Sequence, residues 1–357
     1  MIIPDTKKIR ISIAMYTHRS TPLALLIFIT EYFIYFCAIA GTIFIENMLI
    51  RVLCSILAGM VIASLYVIAH DCAHNSYTDS KRLNRIIGRL CYFPSLHNFS
   101  LWVIVHNRLH HGSPNVQGIN SWSPFSKNEF DALPEWRKLV ERFYRSVYGM
   151  CFYYMIERWW KYKFIPFAKY TGERRPGQII DFLLVAVYLV AFTGLLVYAG
   201  MKLSHTSPAG LIVLGFILPF LIWNFMGGVT IYQHHTHESL PWFRSNEERK
   251  RWGGQEDVTM HVRYPRWYNL LSLNIMQHTA HHINPGIPLY NLAMAQDKLS
   301  RILGKQTGTV EFSPLGLLKT IASCKLYDYE HHHWLDFDGN PTTVSPVTGK
   351  SDYAHAA

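Results

Sequence analysis

Charged side chains are in short supply. Asp, Glu, Lys and Arg together make up 16% of the 357 residues, against about a quarter of a typical soluble domain. Beside 50% hydrophobic and 14% aromatic residues, that deficit argues against a water-exposed globule and for a protein that faces lipid. Cysteines are few and unorganised. Cys37, Cys54, Cys72, Cys91, Cys151 and Cys324 show no framework spacing and no CxxC pair, so free thiols are expected and no iron–sulfur set is read. No GxGxxG fingerprint is present, which removes the usual dinucleotide site. Lys and Arg exceed Asp and Glu by 34 to 24, a formal charge of +10, but no nucleic-acid motif accompanies the excess. Anionic lipid or an acidic protein partner fits that charge better. The first twenty residues lack a continuous apolar core and a small-residue cleavage site, so a cleaved signal peptide is not expected.

What the chain has in abundance is long apolar runs. Four of them, at about residues 23–45, 50–69, 179–200 and 209–233, each approach the roughly 20 residues needed to cross about 30 Å of hydrocarbon as a helix. The first carries one charge (Glu31), the third carries Asp181 near its start, and Pro219 is expected to kink the fourth. The fold class is therefore all-α: an integral membrane protein of four transmembrane helices in two hairpins, with a helical cap carrying the polar chemistry. The connectors Glu46–Arg51 and Met201–Pro208 are short, so every long polar segment falls on one side. That side holds Lys81–Arg82, Arg137–Lys138, Arg174–Arg175 and Arg249–Lys250–Arg251, and the positive-inside rule makes it cytosolic, with both termini. One domain spans residues 1–357, with the cap at 70–178 and 234–330 and a polar tail at 335–357 expected to fray. Residues 86–105 are read as a buried hairpin because Arg89, Pro94 and His97 interrupt them. Residues 143–167 interleave aromatics with Arg and Lys, as a helix lying in the headgroup layer does.

Nineteen histidines are present, and most are clustered. His70 and His74 stand at i,i+4 at the cytosolic end of the second span; His106, His110 and His111 form a second cluster, and His278, His281 and His282 a third. On a helix, such spacing puts imidazoles on one face, within reach of a common metal. A fourth group, His234-His235-Thr-His237, follows the last span. Eight clustered histidines plus one from this group make nine ligands, too many for one tetrahedral ion and suited to two metals with open positions. Neutral imidazole accepts iron, zinc, copper or nickel. Asp71 is read as a carboxylate that orients an imidazole. His97 is read as a satisfied polar group, and His18, His205, His355 and the run His331–His333 as residues without a metal role.

In order and spacing, HDCAHNS (70–76), HNRLHHG (106–112), HTHESLP (235–241) and HTAHHINPGIPLYNL (278–292) resemble the boxes of the membrane fatty acid desaturase family. The likeness is strongest to its bacterial acyl-lipid, Δ12-like branch, which HHGSPNVQGINSWSPFSKNEFDALPEWRKLVER also resembles. Ala73 and Asn75 stand where the family usually has glycine. The resemblance covers about residues 50–300. It implies two iron ions held by His70, His74, His106, His110, His111, His278, His281, His282 and His235, with His237 and then His234 as alternatives to the last. It also implies O2 as co-substrate and insertion of a cis double bond into a fatty acyl chain, probed against oxygen-inserting relatives (lipid hydroxylase, acetylenase, carotenoid ketolase or hydroxylase). A histidine-rich metal transporter is the remote alternative. Dehydrogenating an unactivated CH2–CH2 unit needs a metal and dioxygen, since no side chain supplies the oxidising power. The chain has no HPGG haem motif, so an external donor is implied, a ferredoxin or a cytochrome b5-type protein, with a membrane lipid or acyl substrate and no nucleic acid. In a bacterium the location would be the inner membrane. Trp102, Trp223, Phe225 and Tyr232 are candidate walls of an acyl tunnel.

Overall fold

The computed structural model describes residues 6–171, 175–304 and 308–346; Arg174, His355 and the end of the tail lie outside them. Among the described residues, four helices are long and apolar enough to cross a membrane: α1 (Thr21–Phe44), α2 (Met48–Ala73), α6 (Pro176–Lys202) and α7 (Pro208–His235). Between α2 and α6 lie α3 (Lys81–Tyr92), α4 (Phe99–Val103) and α5 (Glu135–Tyr144). After α7 come α8 (Asn246–Trp252), α9 (His278–Ile283) and α10 (Leu289–Leu303). Among the described residues, sheet is confined to two small pairs: His261–Arg263 runs parallel to Thr309–Glu311, and Leu326–Asp328 runs antiparallel to His333–Leu335.

The four spans differ in role. Apolar side chains such as Leu26, Ile29, Phe33 and Phe36 on α1 and Val187 and Val190 on α6 remain exposed, as lipid-facing helices require. α2 is the inner helix, with a run from Ser64 to Ala73 that is entirely buried. It approaches α7 so closely that a Cβ on Gly59 would stand 2.6 Å from Ile222 Cβ and 2.8 Å from the Pro219 carbonyl. The two outer connectors are pinned to each other through Arg51, which is 2% exposed. Its guanidinium donates to the Thr42 carbonyl from Nε (2.9 Å) and Nη2 (2.6 Å), to Ser204 Oγ (3.1 Å) and to Thr206 Oγ1. A buried cation is tolerable where its donors are so fully used. On the other side of the spans, Arg89 Nε meets Asp181 Oδ1 at 2.6 Å, while Asp181 Oδ2 accepts the Ser100 amide at 2.8 Å. The acidic residue noted at the start of the third span thereby ties α6 to α3 and α4.

Residues 86–105 turn back rather than cross: α3 ends at Tyr92, Leu96 takes φ +53°, and Asn98 caps α4 by accepting the Leu101 amide at 3.0 Å. Pro219 disturbs its helix through a π-helical turn at Val213–Ile217 just before it, where the missing proline N–H leaves the backbone free to widen. The tail departs from the expected fraying. Trp334 is fully buried, its indole Nε1 donates to the His237 carbonyl at 2.9 Å, and the Thr342 amide returns to the Trp334 carbonyl at 2.9 Å. A turn held by Asp336 side-chain bonds to Asn340 closes this loop.

Candidate metal centre

Chain geometry sorts the clustered histidines into two groups. One nitrogen from each of His70, His74, His106 and His281 lies within 4.8 Å of the others, and His110, His235, His278 and His282 form a second set on the same criterion. His111 joins the first: its Nε2 is 3.0 Å from His106 Nε2 and 3.1 Å from His281 Nε2. The i,i+4 reading of the second cluster needs correcting here. Ile104–His110 is a π-helix, and the His111 amide bonds to the His106 carbonyl at 3.0 Å. In such a turn residues five apart share a face. His106 and His111 therefore point to one group while His110 swings to the other. In α9 the i,i+4 pair His278 and His282 stays together, and His281 crosses over.

The rings are aimed by carbonyl-type oxygens. His110 Nδ1 lies 2.6 Å from Asn120 Oδ1, His235 Nδ1 2.9 Å from Asn115 Oδ1, and His282 Nδ1 3.0 Å from Gln255 Oε1. Each amide orientation is settled by its own NH2, which donates to a backbone carbonyl: Asn120 to Ser113, Asn115 to Pro241 and His235, Gln255 to His111. These oxygens can only accept, so each Nδ1 carries the proton and each Nε2 presents a bare lone pair. His110 Nε2 and His282 Nε2 then face each other at 3.1 Å with no proton between them, an arrangement that repels unless a cation sits against both. His235 Nε2 stands 2.9 Å from His278 Nε2, and His278 Nδ1 is buried with no partner. In the first group, His74 Nε2 is buried with no partner. Asp71 Oδ1 lies 3.2 Å from His70 Nδ1, and its Oδ2 accepts the Leu289 amide at 2.5 Å, so it joins the first box to the start of α10. The His106 ring stacks on Trp102 (centroids 4.1 Å apart), whose Nε1 donates to the Tyr66 hydroxyl at 2.8 Å.

Burial holds these imidazoles neutral. It pushes His110 down to about 3 and drives His74, His106, His111, His278, His281 and His282 well below the usual histidine range, with neighbouring imidazoles adding to the effect. Neutral imidazole is the form that binds metal. The donor set, bare nitrogens without thiolate and with one adjacent carboxylate, fits two divalent first-row ions.

His237 stands apart, half-exposed, with Nδ1 2.8 Å from Ser239 Oγ. His234 stacks on the His278 ring at 3.7 Å and its Nε2 is buried without a partner. His97 is satisfied between the Ser95 carbonyl (2.7 Å) and the Tyr154 hydroxyl (3.3 Å). His331 pairs with Asp328, and His332 with Glu248 and the Trp242 carbonyl. Asn75 has φ +56°, a left-handed position where glycine is easiest and asparagine is the tolerated substitute. Asn115, Asn120 and Gln255 were not singled out from the sequence; the first two fall in the stretch that follows the second box.

A largely apolar cavity, about 920 Å³ with its solvent-open mouth included, lies against the histidines. It runs between α2 (Ala63, Tyr66, Val67) and α7 (Trp223, Met226, Ile231) and reaches His70, His110, His235 and His278. Of the four aromatics expected to wall a tunnel, Trp223 does so. Trp102 supports His106 instead, Tyr232 packs on Trp122 and bonds to the Thr320 carbonyl, and Phe225 is 39% exposed on the lipid-facing side. Spacing along α7 could not reveal which face turns inward.

Comparison with known proteins agrees with the class that this fold and site define. The fatty acid desaturase family model matches residues 46–313, and the chain belongs to that family: it is a membrane oxidoreductase that desaturates fatty acyl chains. Among individual relatives, it is 29% identical over 286 residues to an sn-1 oleoyl-lipid 12-desaturase of Picosynechococcus sp., covering 78% of this chain and 77% of that one. It is 30% identical over 277 residues to a chloroplastic omega-6 fatty acid desaturase of Glycine max, spanning 76% of this chain but 61% of the plant protein. An sn-1 acyl-lipid omega-3 desaturase (ferredoxin) of Synechocystis sp. is 28% identical over 251 residues, 70% of this chain and 67% of that one.

Proposed function

We propose that the chain is an acyl-lipid desaturase that converts a monounsaturated chain to a diene by inserting a cis double bond at a Δ12-type position. The observation that carries this reading is the pair of histidine groups opening directly into a largely apolar cavity between α2 and α7. One iron would be held by His70, His74, His106, His111 and His281, and the other by His110, His235, His278 and His282. Two ferrous ions so held would supply, with O2, the power to take one hydrogen from each of two adjacent methylenes. O2 leaves as two waters, with two electrons and two further protons delivered from outside.

The protein's own residues do the rest. Asn115, Asn120, Gln255 and Asp71 hold the rings with Nε2 inward, so that little reorganisation accompanies metal binding. Tyr66, Trp223 and Ile231 hold an acyl chain straight against the centre and keep water away from it. The depth of the chain in the cavity selects the carbons presented, and the Δ12 position rests on likeness to the relatives named above. The donor is external, a ferredoxin or cytochrome b5-type protein meeting the basic cytosolic face; the one-sided distribution of Lys and Arg supports cytosolic termini and a cytosolic centre. The test supplies labelled oleoyl and stearoyl chains to membranes containing the protein and a working donor. A diene that disappears without oxygen, or in His110→Ala, supports the reading. A hydroxylated or ketonic main product would move the protein to the oxygen-inserting relatives, and an oxidised carotenoid with no acyl product would refute the substrate.

A further inference from the structure

Beside the cavity lies a second hollow that the reaction leaves unexplained. It opens between α5, the π-helix Tyr153–Phe164 and the loop at Ser123, with about 570 Å³ of space, its solvent-open mouth included. Four cations (Arg137, Arg145, Arg158, Lys161) meet two carboxylates (Glu141, Glu157) there. Both carboxylates are already engaged: Glu157 by Arg137 at 2.7 Å and by Lys161, Glu141 by Arg137. The hydrogen bonds of Arg145 and Arg158 go to backbone acceptors, the Ser123 and Ile119 carbonyls, each at 3.1 Å from Nη2; the Arg158 guanidinium also lies 4.5 Å from the Tyr162 ring centroid, and Glu141 acts on Arg145 through its charge. Yet they are 3% and 7% exposed, and Nε and Nη1 of Arg145 and Nε of Arg158 have no hydrogen-bond partner. Unused guanidinium donors at that depth are costly unless an anion with several oxygens meets them.

Two features say what carries that anion. Arg158 lines this hollow and also the acyl cavity, so whatever fills both has a charged group joined to an apolar chain. The same helix pair also exposes an apolar row away from the hollow: Trp136, Leu139 and Phe143 on α5, and Phe152, Ile156 and Trp160 beside it. A row of this kind beside basic residues lies in the headgroup layer of a membrane, which puts the unused donors of Arg145 and Arg158 at the depth of lipid phosphates.

We propose that Arg145 and Arg158 bind the phosphodiester of a membrane phospholipid whose acyl chain lies in the cavity, so that the substrate class is a phospholipid. This deepens the acyl-lipid reading and rests on it for the identity of the reacting chain. The test measures lipid retained by full-length protein in detergent micelles, by mass spectrometry, when dioleoylphosphatidylglycerol and dioleoylglycerol are offered in equal amounts. The chains are identical, so only the headgroup differs. The wild type should retain the phospholipid in about tenfold preference, the scale of one charge-assisted hydrogen bond, and Arg145→Gln and Arg158→Gln should each abolish most of that preference. Equal retention by the wild type, a measurement that needs no variant to fold, would overturn the proposal; so would a preference that survives both substitutions. Inorganic phosphate that binds without any lipid preference would make this a free-phosphate site and refute the lipid assignment. Because retention requires no turnover, phospholipid bound without a diene formed would leave this site standing and sink the acyl-lipid reaction, and dienes formed equally in both lipids would do the reverse.

Discussion

Gln255 offers the sharpest probe of how the centre is organised. Its Oε1 accepts from His282 Nδ1 at 3.0 Å and its Nε2 donates to the His111 carbonyl at 2.9 Å, so one loop side chain touches a histidine of each group. Gln255→Leu preserves approximate size and removes both bonds. The buried His282 N–H then lacks an acceptor, a cost of about 1–3 kcal/mol, and its proton is free to move to Nε2, where a metal requires a lone pair. Loss of such an orienting partner typically weakens metal binding by about 10–100-fold, or about 1.4–2.8 kcal/mol at 1.4 kcal/mol per decade. The two routes agree in size. Gln255 lies on a half-buried loop, so metal-free protein should still fold, with its stability lowered by no more than that cost of about 1–3 kcal/mol. The assay is a chelator titration of iron-loaded protein: the variant should release iron at about 10–100-fold lower chelator activity, and Gln255→Glu, which keeps an acceptor, should restore much of the difference. Iron held as tightly as in the wild type by Gln255→Leu would refute the claim that these hydrogen bonds set the metal-binding tautomer.

Three further outcomes follow from the same geometry. His235→Ala should abolish desaturation and lower bound iron, whereas His237→Ala and alanine at His331, His332 or His333 should leave turnover within about twofold; an active His235→Ala with a dead His237→Ala would reverse the assignment. On acidification the metal-free protein should lose stability, because burial lowers the folded-state values of His110 and its neighbours and the unfolded chain takes up more protons below about pH 6.5. The slope for His110 alone is about 1.4 kcal/mol per pH unit between roughly 6.5 and 3, and a melting temperature in detergent that is flat from pH 7 to 4.5 would contradict it. Reporters fused after Glu46 and Lys202 should read the outer side and fusions after Lys127 the inner side; an outer signal at Lys127 would require the segment at 86–105 to cross.

Hydropathy made the spans legible because a lipid-facing helix must be apolar along its whole length. The expected 23–45 and 179–200 became Thr21–Phe44 and Pro176–Lys202; the residues gained at the starts, Thr21-Pro22 and Pro176-Gly177-Gln178, are less apolar than the spans they extend. The histidine clusters were legible because nine like residues at helical spacing are improbable by chance. Their partition was hidden, since it depends on a π-helical register at Ile104–His110 that leaves no mark in residue type. Asn115, Asn120 and Gln255 were hidden for another reason: polar amides are ordinary in loops, and only tertiary placement turns a loop carbonyl oxygen into the acceptor that fixes a ring. Phe225 and Tyr232 could not be assigned to lipid, packing or cavity from α7 alone, because that choice depends on how α2 and the cap lie against it.

The most direct test of the central claim is iron per chain in gently purified, catalytically active protein, measured by elemental analysis against quantified protein. Two groups of histidines opening on one cavity predict about two irons per chain, and one iron or none in fully active enzyme would contradict the account.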